Sequence, residues 1–201
     1  ALERAVRRAG LPYAVSQGFS PHMKQAFGSA LPVGVGGLEE IFDVSLTDYV
    51  PPEEALARLR ASSAPDLMPH AARYITKDET AASAAYPRST YEALLEASRS
   101  GDCEMDVLAA ARALSVPSEI TVVRKKKERV LVPSEFIVGE LEVESAEPGE
   151  EGQERALVRF TLESKASGSL RPDVLLEHML VDSGLRAASI LRTKQSEIPK
   201  E

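Results

Sequence analysis

The sequence predicts an α+β protein made of two tandem ferredoxin-like (split βαβ) units, and three observations predict it. Strand-like alternation and helix-like spacing take turns along the 201 residues. The order helix, strand, strand, helix, strand is met twice. The second helix of each half opens with the same pattern, P-[ED]-x-x-L-x-x-[LM], carried by Pro52, Glu53, Leu56 and Leu59 and again by Pro172, Asp173, Leu176 and Met179. A leading strand before each half completes β-α-β-β-α-β twice, with the helices on one face of each antiparallel sheet. One such strand is expected within residues 81–95. The other is expected upstream of Ala1, because the chain lacks an initiator methionine and opens directly in a helix. The boundary falls in the short polar run Lys77–Thr80, giving a first unit at 1–78, a second at 79–195 and a tail at 196–201.

Taken in order, Leu2, Ala5, Val6 and Ala9 recur at helical spacing, and Gly10 and Pro12 end that helix. A short strand is expected over "LPYAVS" and another over "EEIFDVSL", where Phe42, Val44 and Leu46 alternate with Ile41, Asp43 and Ser45. Pro52 in the first turn, with Glu53 and Glu54 beside the positive end of the dipole, starts the helix "VPPEEALARLRAS". A further strand is expected over "DLMPHAARYIT", with Pro69 at its beginning or on an edge.

In the second half "SAAYPRSTYEALLE" is read as extended, with a helical end as the alternative, and "DCEMDVLAAARAL" as a helix capped by Asp102 and closed by Pro117. "SEITVVRKKKERVLVPSEFIVGELEVE" gives two or three strands broken by a basic turn and by Pro133. "AEPGEEGQE" is a loop. "RALVRFTLES" alternates Leu157, Arg159 and Thr161 with Val158, Phe160 and Leu162. "LRPDVLLEHMLVDSG" is a helix from Pro172 to before Gly184, and "LRAASILRT" is the closing strand.

Composition narrows the function classes. One cysteine, Cys103, supplies neither a disulfide framework nor an iron–sulfur or zinc cluster. No apolar run reaches the length of a membrane span, so a cytoplasmic protein with no membrane partner is expected. The net charge of −7 excludes a surface basic throughout, while leaving room for a local basic patch. The motif GxxxxGK[ST], HExxH and paired CxxC are absent. "GVGGLE" has two glycines of a dinucleotide fingerprint and no helix after it. His22, His70 and His178 are far apart, so no metal is assigned, and no catalytic residue or cofactor is assigned to the chain.

One stretch stands apart: "VSQGFSPHMKQAFGSALPVGVGG", residues 15–37. Ser16, Gln17, Gly18, Phe19, Ser20, His22 and Lys24 offer hydroxyl, amide, cationic and exposed backbone donors suited to phosphate or another anion. The alternative is a compact connection in which Phe19 and Phe27 plug the core. Arg4, Arg7 and Arg8 lie opposite the apolar face of the first helix and form a basic stripe beside this stretch. Arg124, Lys125, Lys126 and Lys127 form a second basic patch at a hairpin tip, where lysine also guards a strand edge. Together they mark where an RNA backbone would sit. The aromatic–basic cluster Tyr86, Arg88 and Tyr91 matches no RNA-binding motif.

Arg7 to Pro12, then Ser16, Gly18, Phe19, Ser20, Pro21 and His22, then Leu31 to Gly34, then Glu40 and Asp43, follow a distinct order: R-R-A-G-L-P, S-x-G-F-[NS]-P-H, L-P-V-G, acid, D-strand. In this the chain resembles the bacterial radical-SAM-linked domain of unknown function, and "LRPDVLLEHML" and "ILRT" resemble that family's closing helix and strand. The resemblance implies a module that stands alone or fused behind a radical-SAM enzyme, with iron–sulfur cluster and SAM only on that partner. Three readings follow. One is a non-catalytic module that binds RNA or a phosphate-bearing substrate and presents it to a radical-SAM protein. Another is an interaction domain docking that protein without nucleic acid. The third is an enzyme using His22 as general acid or base with Lys24 stabilising charge.

Overall fold

The alternation read in the second half of the chain becomes four strands of a five-stranded sheet, and the proline-led pattern becomes two helices. The computed structural model describes residues 1–76, 78–98, 105–124, 127–149 and 152–199. In order the elements are α1 (Leu2–Arg8), β1 (Gln25–Phe27), β2 (Gly36–Gly37), β3 (Phe42–Val44), α2 (Pro52–Ser62), α3 (Ala82–Ala85), β4 (Arg88–Ala97), α4 (Val107–Arg112), β5 (Ile120–Arg124), β6 (Lys127–Leu131), β7 (Ile137–Ser145), β8 (Arg155–Glu163), α5 (Pro172–Met179) and β9 (Leu185–Ser196). The fold is a mixed α+β one. It comprises two compact units: Ala1–Gly28 with Ile41–Ala84, and Ser29–Glu40 with Ala85–Glu201.

In the second unit the strands lie in the order β2-β9-β4-β8-β7. β9, β4, β8 and β7 pair antiparallel throughout, and β2 joins β9 in parallel. The path β4-α4-β7-β8-α5-β9 thus follows a split βαβ course, with the β5–β6 hairpin inserted before β7. Period-two burial shows that β8, an inner strand between β4 and β7, packs one face against the core. Ala156, Val158, Phe160 and Leu162 are buried on one face, matched across the register by Leu95, Ala93, Tyr91 and Ser89 of β4. Val107 and Ala111 of α4 and Leu175, Leu176 and Met179 of α5 complete that core. Each fully buried leucine there contributes roughly 1.5–3 kcal/mol of transfer free energy. Pro172 and Pro52 both stand at the first position of their helices, where the missing N–H costs no hydrogen bond.

The first unit packs α1 and α2 over Leu11, Met23 and Val50, with Val6, Ala9, Ala55 and Leu59 as the helix contributions. β1 and β3 form its two-stranded sheet. Three expectations need correction. No strand forms over residues 66–76: most of them are exposed, and beyond Pro69 no described strand offers them a ladder. The short strand expected over "LPYAVS" is reduced to single bridges at Tyr13 and Val15. The cap of α4 is Asp106, whose Oδ1 accepts from Ala109 N at 2.7 Å, and the helix begins only at Val107. Asp102 and Cys103 lie outside the described residues.

Candidate functional site

Residues 13–24 fold back on themselves as a hairpin instead of wandering as an irregular connection. Val15 bridges Met23, Ser16 N donates to His22 O at 2.8 Å, and Lys24 N donates to Ala14 O at 2.8 Å. His22 N donates to Ser16 Oγ at 3.0 Å, so the serine hydroxyl closes the turn from the other arm. Gly18, at φ 155°, and Pro21, which fixes its own φ and offers no donor, let the chain reverse between these bonds. Strand alternation then sorts the returning arm. Met23 turns into the core of the unit, whereas His22 and Lys24 turn outward and are exposed.

Gln17, Gly18, Phe19, Ser20 and Pro21 make up the exposed tip. Phe19 is fully exposed, at 110% of its reference area, and Phe27 in β1 is 53% exposed. Neither plugs a core. The core of this unit is built instead from Leu11, Met23 and Val50 with the buried residues of α1 and α2.

Helix α1 supplies the other cations. Ala5 and Val6 are buried, while Arg4, Arg7 and Arg8 are exposed. Arg7 donates to Glu3 Oε1 at 2.7 Å and to Tyr13 Oη at 3.1 Å, with its guanidinium 5.2 Å from the Tyr13 ring centroid, tying the helix to the base of the hairpin. Arg8 Nη2 donates to Ser62 O at 2.7 Å at the end of α2. Arg4 and Arg8 line a cleft of about 180 Å³ with Ser63 and Leu67, and the Ser63 Oγ is buried without a partner among the described residues.

The Glu3 carboxyl is held below the usual glutamate range, first by the hydrogen bond from Arg7, with the positive charges of Arg7 and His22 adding to it. His22 and α1 therefore share one electrostatic neighbourhood. Sequence reading found no carboxylate near His22; Glu3 is one, though Arg7 already occupies it. An ionised, bridged carboxylate suits holding a cation in place better than taking up a proton.

The second basic patch belongs to the other unit. Arg124 pairs in register with Lys127, and Lys125 and Lys126 lie outside the described residues. Lys127 is exposed. The expected cluster of Tyr86, Arg88 and Tyr91 does not form an exposed surface. Tyr91 is buried and stacks on Phe160, centroids 5.6 Å apart. Arg88 pairs with Glu163 at 2.7 Å on the opposite face of the sheet. That face carries a cross-strand ladder in place of aromatics: Arg159 reaches Glu92 at 2.8 Å and Glu142 at 3.0 Å, and Arg155 reaches Glu96 at 3.0 Å. Nothing on it would stack a base in the manner of RNA-binding ferredoxin-like sheets. His178 Nδ1 is 2.9 Å from Val174 O within its own helix, a structural contact. No group of three His, Cys, Asp or Glu side chains among the described residues gathers to hold a metal.

The remaining part of the glycine-rich stretch does something that sequence reading missed. Residues 29–40 form a strap along β9 within the second unit. Gly36 and Gly37 pair with Leu191 and Arg192, and Val35 enters the core. The Arg192 side chain is 0% exposed, and its Nε donates to Glu40 Oε1 at 2.9 Å. Its Nη2 donates to Ser29 O at 2.8 Å and also to Glu40 Oε2. Leu38 N donates to Arg192 O at 3.0 Å, and Gln195 Nε2 donates to Glu39 O at 3.1 Å. The absence of a side chain at Gly36 leaves space for Leu191, whose Cδ2 would lie 2.5 Å from an added Cβ. Glu40 and "ILRT" were visible only as separate pieces of a motif; here they are one ion pair.

No curated protein matches the chain. The family model described as "Uncharacterized protein conserved in bacteria (DUF2344)" matches residues 1–172, which takes in α1, the hairpin, the strap and the strands through β8. The chain therefore belongs to the DUF2344 family of bacterial proteins.

Proposed function

We propose that this chain is a non-catalytic module whose first unit binds RNA or another phosphate-bearing substrate and presents it to a radical-SAM partner in the cytoplasm. One observation carries the binding half of this reading. Residues 1–28 hold Arg4, Arg7, Arg8 and Lys24 against the single acid Glu3, a net +3, inside a chain of net −7. Such asymmetry in an acidic protein points to a polyanionic partner. Exposure of His22, Lys24 and the three arginines supports it, as does the hairpin that turns donors outward. Ser16, Gln17, Gly18 and Ser20 would add polar contacts at the tip, and Arg124 to Lys127 a further cationic surface on the second unit. The partner half rests on the sequence motifs alone.

The same reading divides the chain into a first unit at 1–78 and a second, split βαβ unit at 79–195, followed by a short tail at 196–201, with residues 29–40 counted in the second unit. The strand order of the second unit and the shared proline-led helix starts support this.

The test is fluorescence anisotropy of the full chain against a short labelled RNA across a salt series. Binding whose log K falls linearly with log salt is expected, with a slope reporting the phosphates neutralised. Absence of salt-dependent binding overturns the reading. An interaction domain would recover a radical-SAM protein from a pull-down with no nucleic acid.

A further inference from the structure

An aromatic ring wholly in water, at the tip of a braced turn, needs an account. Burying a phenylalanine side chain is strongly favourable, and Phe19 forgoes that gain entirely at 110% exposure. The tip is not loosely held: Ser16 and His22 exchange two hydrogen bonds directly beneath it, and Val15 bridges Met23 one step further down. The ring is therefore presented on a closed turn. The side chains flanking its descending arm are His22 and Lys24, both exposed, with Arg7 fixed to Tyr13 at the hairpin base.

We infer that Phe19 is a stacking platform for one unpaired base of a single-stranded nucleic acid, with His22 and Lys24 taking the adjoining phosphates. The inference rests on the RNA-binding reading above and gives it a substrate class: single strand, not duplex. Every base has a π-face, so an aromatic ring beside cations binds single strands with little regard to sequence. Bases in a duplex are already stacked, and a lone ring at a turn has no edge chemistry with which to read a groove. Charge complementarity selects this occupant over a neutral protein surface, because the ring sits in the cationic part of an acidic chain. The sheet of the second unit provides no substitute, since Tyr91 and Phe160 are buried there.

The experiment compares the full chain with its Phe19→Ala and Phe19→Trp variants on an unstructured single-stranded RNA, the matching duplex and phosphatidylglycerol vesicles. Phe19 touches no core, so the variants should fold as the parent does. Expected for Phe19→Ala is about a tenfold loss on the single strand, an unchanged salt slope and no change on the duplex. Expected for Phe19→Trp is recovered affinity, with indole fluorescence quenched on binding. Equal single-strand affinity of parent and Phe19→Ala overturns the stacking inference and leaves RNA binding standing. No RNA binding by the parent overturns both. Vesicle binding that Phe19→Ala abolishes, without single-strand binding, assigns the ring to a bilayer and likewise overturns it.

Discussion

Residues 16–24 and residues 29–40 are neighbours in sequence with the same flavour of glycine, serine, proline and scattered apolar residues, yet they fold in different ways. The first becomes a hairpin in which Gln17, Phe19, Ser20, His22 and Lys24 face water. The second lies against a strand, sends Val35 into a core and closes over an arginine with 0% exposure. Glycine has a different task in each: at Gly18 it permits a turn, whereas at Gly36 and Gly37 it leaves room for the Leu191 and Glu40 side chains. A glycine-rich stretch is thus not one kind of object. The hairpin leaves its side chains free for a ligand, and the strap commits its own to the fold.

If that division holds, substitutions in the strap should alter stability and those in the hairpin should alter binding. The largest effect is expected from Glu40→Ala, which strands the Arg192 guanidinium inside the second unit. Breaking such a pair from one side costs about 3 kcal/mol, the low end of the usual range because Glu40 is itself 43% exposed. Urea unfolding would show it as a lowered midpoint. Arg192→Met should be milder, about 1 kcal/mol; if it proves as damaging as Glu40→Ala, the ion pair is not what holds the strap.

Next comes Gly37→Ala. The added Cβ would stand 2.9 Å from Glu40 Cγ and push that side chain off its partner, for a loss of about 1–2 kcal/mol in the same assay. Lys24→Ala should leave the urea midpoint unchanged and reduce the salt slope of RNA binding by about one. A matching loss of stability would blur the comparison.

The smallest effect concerns Glu3. Its depressed pKa means that the stability it lends is present above the unfolded-state value and lost as pH falls through the lower folded one. Acid titration of the first unit should therefore show this contribution disappearing below the ordinary glutamate range. Glu3→Gln, which removes the only acid among the first 28 residues, should raise RNA affinity about twofold at low salt and not at high salt.

Local patterns were legible. β8 could be read residue by residue, because burial on one face imposes strict alternation over Val158, Phe160 and Leu162. Both proline-led helices could be read from their spacing, and the strands around the basic turn were read as two or three where three form. Non-local pairings could not. Arg192 and Glu40 are separated by 152 positions, and no short-range pattern links them. The register shift between Thr90 and Tyr91, which sets Arg192 opposite Tyr91 and Lys194 opposite Thr90, leaves no mark in composition. Of the candidate site, the residue types of the hairpin were evident, but not which would face outward. That depended on where Met23 found a core.

The strap also sets a timetable for making the molecule. A ribosome adding 5–20 residues per second delivers β9 on the order of ten seconds after Glu40 has emerged. Through that interval Val35 and Leu31 have no docking edge, and Glu40 waits in solvent for its cation. Completion of the second unit consequently waits for the synthesis of β9. A nascent chain stalled before Arg192 would display an unfinished, sticky edge for chaperones or proteases to find.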